Sequence, residues 1–182
     1  LKKLYPGAKF IHMLRNPYAT LVALRKHMMR KRYPFLGNAI SALNNSYYYL
    51  YKNPLIVSDY LVLRYEDLLT KPLEVMLSVS KFIGIEFNDS LLEPTVMTTP
   101  WKGNSTSGQE FDSISTRPLW VWRKEIYSIE VEFVNLLFSH ILRDYAYERL
   151  RANTSIYCPV PRDSLKSYLS NRLLWKLTLA TQ

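Results

Sequence analysis

An α/β fold built on a parallel sheet is the class this sequence predicts, and two observations predict it. Apolar runs of strand length, 9–14 and 59–65, are each followed by a helix-patterned stretch, the alternation that builds parallel sheets. Leu61, Val62 and Leu63 stand in an unbroken row, as in a strand covered on both faces. A length of 182 residues suffices for one domain with its own core, and 48% apolar against 21% charged content is a globular composition.

In chain order, the first strand ends at Arg15. Asn16-Pro17 reads as an N-cap followed by a proline in the first helical turn, and Leu21, Leu24, Met28 and Met29 recur at helical spacing to about residue 32. A strand–turn–helix of this kind is a place to hold an anion. Free backbone N–H groups at a helix start point at the ligand, the helix dipole favours negative charge, and Arg15 adds a planar fork suited to phosphate. Tyr33-Pro34 and Gly37 break the helix. A second helix follows from about Asn38 to Lys52, its Tyr47, Tyr48, Tyr49 and Tyr51 read as packing rather than as a base-stacking platform, and Asn53-Pro54 ends it. After the strand at 59–65, Glu66-Asp67-Leu68-Leu69 leads out. Thr70 and Pro72 then open a helix that stops at Gly84 and carries Leu73, Met76, Leu77, Phe82 and Ile83 as a core stripe.

Residues 88–97 are expected to form a short helix. From 98 to about 118 the chain is rich in Gly, Ser, Thr and Asn and reads as a loop, a length uncommon inside compact domains unless it has a function. Trp120–Arg123 begins another ordered stretch. Ile129 to about Tyr145 reads as one amphipathic helix, with Phe133, Leu136, Leu137 and Ile141 on its apolar side. Arg151–Asp163 is turn-rich, and Ser164–Leu177 reads as a terminal helix with Leu165, Leu169 and Leu173 on one face. Ligands of parallel sheets bind beyond the strands' C-terminal ends, so Arg15 and Tyr65, each closing a strand, are expected on one ligand-facing edge.

The net charge of +9 is unevenly placed: the first 58 residues hold ten Lys or Arg and no Asp or Glu. That excess implies a steering field for a nucleotide, a sulfated or phosphorylated ligand, or nucleic acid. No apolar run is long enough to span a bilayer. The single Cys158 excludes an internal disulfide framework and a cysteine-based metal site, and fits a reducing compartment. The opening Leu1-Lys2-Lys3-Leu4 is neither an initiator methionine nor a signal peptide, so the chain is read as a fragment of a longer protein. The Asn-x-Ser/Thr sequons at Asn44, Asn88, Asn104 and Asn153 read as chance in a Ser-rich chain.

Four segments in order resemble the sulfotransferase family. Phe10-Ile-His-Met-Leu-Arg15-Asn-Pro17 is similar to its 3′-phosphate-binding motif. Leu63-Arg-Tyr65-Glu-Asp-Leu68, with Pro72 and Phe82-Ile-Gly84, resembles the next segment. Trp101-Lys-Gly-Asn-Ser105, Ser115 and Trp122-Arg123 resemble the cofactor-covering region, and Arg143-Asp-Tyr-Ala-Tyr-Glu148 the usual ending. The match spans 1–150, taken as the C-terminal part of a sulfotransferase domain, with 151–182 a C-terminal extension. The resemblance implies a P-loop-NTPase-like parallel sheet flanked by helices, with its N-terminal strand and loop missing. It also implies transfer of a sulfuryl group from 3′-phosphoadenosine 5′-phosphosulfate (PAPS), as co-substrate and without a metal, to a hydroxyl or amine on a small-molecule or glycan acceptor.

Carried over by position, Arg15 grips the donor's 3′-phosphate and Tyr65 lies by the adenine. Relatives place a serine eight residues after this arginine, where this chain has Ala23. Thr20, on nearly the same helical face, or a neighbour such as Arg25, is expected to compensate. Ser115, or nearby Arg117, falls where relatives touch the 3′-phosphate from the loop, and Asn104 and Ser105 are further candidates to line the cofactor. The family's Pro-Lys-Ser-Gly-Thr-type loop for the 5′-phosphosulfate is absent from the sequence, and the general base usually lies upstream of the Arg15 segment. His12 is set aside as a base, so no catalytic residue is assigned and the fragment is expected to be inactive when expressed alone. The competing readings are a non-catalytic relative and a basic nucleic-acid-binding module, which no binding motif supports. A cytoplasmic location is expected, or the Golgi lumen if a membrane anchor precedes these residues.

Overall fold

A computed structural model describes residues 4–28, 36–97, 99–101 and 114–152. Two compact units divide the chain: Leu1–Asn16 with Tyr48–Val121, and Pro17–Tyr47 with Trp122–Gln182.

The first unit holds strand β1 (Phe10–Leu14), strand β2 (Tyr60–Arg64), helix α3 (Tyr65–Thr70) and helix α4 (Pro72–Ile83). β1 and β2 pair in parallel, with Phe10 opposite Tyr60 and Leu14 opposite Arg64, so the α/β class and the parallel pairing hold. Alternation along β1 puts Phe10, His12 and Leu14 on the covered side and leaves Ile11 and Met13 exposed. Leu61, Val62 and Leu63 are only half-buried, against the expectation of a fully covered strand.

The stretch expected only to lead out of the strand is itself a short helix, α3. Tyr65 opens this helix instead of closing the strand, and Glu66-Asp67 form its acidic first turn, which suits the helix dipole. α4 starts at Pro72 and stops at Gly84, whose φ of +84° is the left-handed stop that a glycine adopts without strain. Its expected core stripe is not a core: Leu73 and Leu77 are 48% and 46% exposed, while Val79 and Ser80 are the buried positions. Replacing Leu73 or Leu77 by lysine is therefore expected to shift stability by less than about 0.5 kcal/mol. A urea midpoint near that of the parent would check this; a large drop would mean the stripe is covered.

The expected helix at 88–97 resolves into a 3₁₀ turn at Asp89–Leu92 and a two-residue antiparallel pair, β3 (Thr95–Val96) with β4 (Thr99–Pro100). Pro94 and Pro100 bracket this segment, and a proline limits helix continuation.

The second unit carries helix α1 (Pro17–Met28), the start of helix α2 (Leu36–Lys52), helix α5 (Ser128–Leu137) and helix α6 (Ser139–Asp144). α1 packs against α5. Most of the buried apolar side chains lie here, Tyr18, Leu21, Trp122, Val134, Phe138 and Ile141 among them. The single helix expected over 129–145 is two. Phe138 sits between them at φ −122°, ψ 23°, outside the helical region, which lets its ring turn inward against Tyr47 with centroids 5.0 Å apart. Gly37, expected to lie in the break between the first two helices, falls within the first turn of α2. Of the tyrosine cluster Tyr47 is buried, whereas Tyr48, Tyr49 and Tyr51 are exposed. The predicted terminal helix at 164–177 and the extension beyond residue 152 lie outside the described residues.

Candidate anion site at the strand ends

The parallel register sets the geometry. With Leu14 opposite Arg64, residues 15 and 65 are the next positions in step. The Arg15 guanidinium lies over the Tyr65 ring, its carbon 4.9 Å from the centroid. The structure thus brings these two predicted residues together. Among the described residues no carboxylate pairs with Arg15, so its N–H fork is available to an anion.

One step further, the Asn16 backbone N–H donates to the Glu66 carboxylate at 2.9 Å. The sequence predicts free N–H groups at this turn; that of Asn16 is committed to Glu66. Sequence reasoning passed over Glu66, although it stands one residue after Tyr65 just as Asn16 stands one after Arg15. Arg64 approaches Asp67 at 3.8 Å, so the second strand end carries a local ion pair of its own.

Ser115 and Arg117 are joined to each other, the Arg117 N–H donating to the Ser115 hydroxyl at 3.3 Å. Arg117 itself is exposed at the start of a 3₁₀ turn. Thr20 is half-buried on α1, in the second unit. Asn104 and Ser105 lie outside the described residues. Arg25, the other suggested substitute for the missing serine, is engaged by protein groups of its own unit. It is buried in the second unit, its Nε 2.6 Å from Glu130 Oε1, and it donates to the Glu125 carbonyl at 2.6 Å. Lys26 is likewise paired with Glu125, at 2.8 Å. The acid-free stretch of sequence is thus partly neutralised by acids from the other end of the chain.

His12 is half-buried, with Nδ1 2.5 Å from the Tyr60 hydroxyl, and burial pushes its pKa below the ordinary imidazole value. It sits on the face of β1 opposite Ile11 and Met13. Among the described residues no group of three or more His, Cys, Asp or Glu could hold a metal ion, and no helix is long and apolar enough to cross a membrane.

Residues 1–89 match the sequence profile of the sulfotransferase family. The fold is similar to the sulfotransferase domain from the Synechococcus PCC 7002 olefin synthase, with TM-score 0.55 and 22% identity over 78% of this chain and 50% of that one. It is also similar to the sulfotransferase domain from the curacin biosynthetic pathway, with TM-score 0.56 and 18% identity over 78% of this chain and 54% of that one. The chain therefore spans about half the length of the solved domains it matches. No curated protein matches it.

Proposed function

We propose that this chain, whose residues 1–89 match the sulfotransferase family profile, forms the part of a PAPS-dependent sulfotransferase that grips the nucleotide end of the donor. The observation that carries the reading is the Arg15 guanidinium held over the Tyr65 ring at the ends of two parallel strands in register. Bound there, the donor supplies the sulfuryl group. This chain's residues bind and orient its nucleotide. Arg15 offers a planar, permanently charged fork to the 3′-phosphate. Tyr65 offers its ring to the adenine, one face being taken by Arg15. Ser115, whose hydroxyl hydrogen is its own to give, is the loop contact in this reading.

On the same reading β1 and β2 are two strands of a P-loop-NTPase-like sheet, and the acceptor is a hydroxyl or amine on a small molecule or glycan. With no Lys-Ser/Thr phosphosulfate loop in its sequence, the chain by itself binds the nucleotide without transferring the sulfuryl group.

Calorimetric titration with 3′-phosphoadenosine 5′-phosphate, set against adenosine 5′-monophosphate, tests this. The 3′-phosphorylated ligand is expected to bind more tightly, and Arg15→Ala to remove about 10- to 100-fold of that affinity, the worth of a hydrogen bond to a charged group. Equal affinity for the two nucleotides would overturn the assignment.

A further inference from the structure

We propose that Glu66 is a positioning residue for Arg15. Its carboxylate, fastened to the Asn16 N–H, carries the register of β1 and β2 past the end of the sheet and aims the guanidinium. The inference rests on the reading of Arg15 as a phosphate ligand and names what holds that ligand in place.

The last rung of the parallel ladder is Leu14 with Arg64. Beyond it the backbone ladder cannot continue, because Tyr65 has already turned into α3. Both of the next steps are nonetheless joined, by side chains. Arg15 lies on the Tyr65 ring at 4.9 Å, and Glu66 Oε1 accepts from the Asn16 N–H at 2.9 Å.

The two links differ in what they can fix. An arginine has four flexible side-chain torsions, and a contact with one ring face leaves most of them free. The Asn16 N–H belongs to the peptide that directly follows Arg15. A charge-assisted bond to it pins that peptide plane, and with it the direction in which the Arg15 side chain leaves the backbone. Asn16 is buried and the bond part-buried, so water competes poorly for it. An acid so near an anion site would oppose the ligand if it paired with Arg15 directly. The structure gives it to the backbone instead, which leaves the guanidinium available.

The test uses the 182-residue chain labelled at arginine, with two readouts. The first is the upfield ring-current shift that Tyr65 imposes on the Arg15 side-chain signals, which needs no ligand; Tyr65→Leu identifies it. The second is affinity for 3′-phosphoadenosine 5′-phosphate and for adenosine. In Glu66→Ala the ring-current shift is expected to collapse, and the affinity for the phosphorylated nucleotide to fall about tenfold, with adenosine unchanged. Glu66→Gln retains an acceptor oxygen and is expected to restore both. Should the alanine variant unfold, Glu66→Asp makes the same comparison, since it keeps the charge but shortens the reach. A ring-current shift that persists in these variants overturns the positioning role, whatever the nucleotide does. A parent chain that shows the shift but no preference for the 3′-phosphate overturns the reading of Arg15 instead.

Discussion

Replacing Glu130 by alanine is expected to destabilise the second unit by about 3–5 kcal/mol, the range for breaking a buried ion pair from one side. Glu130 is fully buried on α5. One carboxylate oxygen accepts from the Tyr127 N–H at 2.9 Å, half of a capping box at the helix start, and the other lies 2.6 Å from Arg25 Nε. Arg25 is itself buried beneath the Tyr127 ring, 4.2 Å from its centroid, so alanine at 130 leaves a charge with little access to water and without its carboxylate. The double replacement Arg25→Met with Glu130→Leu removes both charges and is expected to come back near the parent stability.

Burial pushes the Glu130 carboxyl above its ordinary pKa, against the opposing pull of Arg25 and the Tyr127 N–H. A raised carboxyl pKa means that the native state holds the proton more tightly than the unfolded chain. The stability it contributes is complete below the unfolded-state value and is lost as pH rises through the native one. Glu130→Gln should flatten that slope. Urea melts across the acid range measure both effects. A Glu130→Ala variant as stable as the parent would show that the pair is not closed as described.

Tyr18→Ala is expected to cost a similar amount, about 3–5 kcal/mol, the range for truncating a buried large aromatic residue. Tyr18 is wholly buried at the start of α1, with its ring stacked on Trp122 at 5.9 Å between centroids and 10° between planes. Its hydroxyl donates to Asn135 Oδ1 at 2.5 Å and accepts from the Leu150 N–H at 3.1 Å, and Asn135 in turn donates to the Leu150 carbonyl at 2.8 Å. One side chain thus ties α1 to α5 and to the segment after α6. Tyr18→Phe keeps the ring and removes only the polar links, for an expected loss of about 1–3 kcal/mol from the partners left unsatisfied. Thermal melts of the two variants separate packing from hydrogen bonding. Equal losses would mean that the ring contributes little.

Legibility in the sequence followed the range of the interaction. β1, β2, the Pro72 start and the Gly84 stop were readable because strand patterning, proline at a helix start and glycine at its end are local chemistry. The break at Phe138 was not, because apolar spacing runs straight through it and only packing against Tyr47 turns the ring. Burial was misjudged where it depends on neighbours. Leu73 and Leu77 have core-like spacing on α4, yet spacing says which residues share a face, not whether anything covers that face. The pairings of Arg25 with Glu130 and of Lys26 with Glu125 join residues about a hundred positions apart, so the acid-free opening of the chain overstated the free positive charge.

At the strand ends the division is sharp. From the sequence alone came a fork at the end of a strand, an aromatic residue at the end of another, and a resemblance that named the ligand class. Tertiary structure decided the rest: the parallel register that sets residue 15 beside 65 and 16 beside 66, and the carboxylate that takes the Asn16 N–H. The physical reason is that a strand's own pattern fixes which side its residues face, but register is a relation between two strands fifty residues apart and forms only when both are in place.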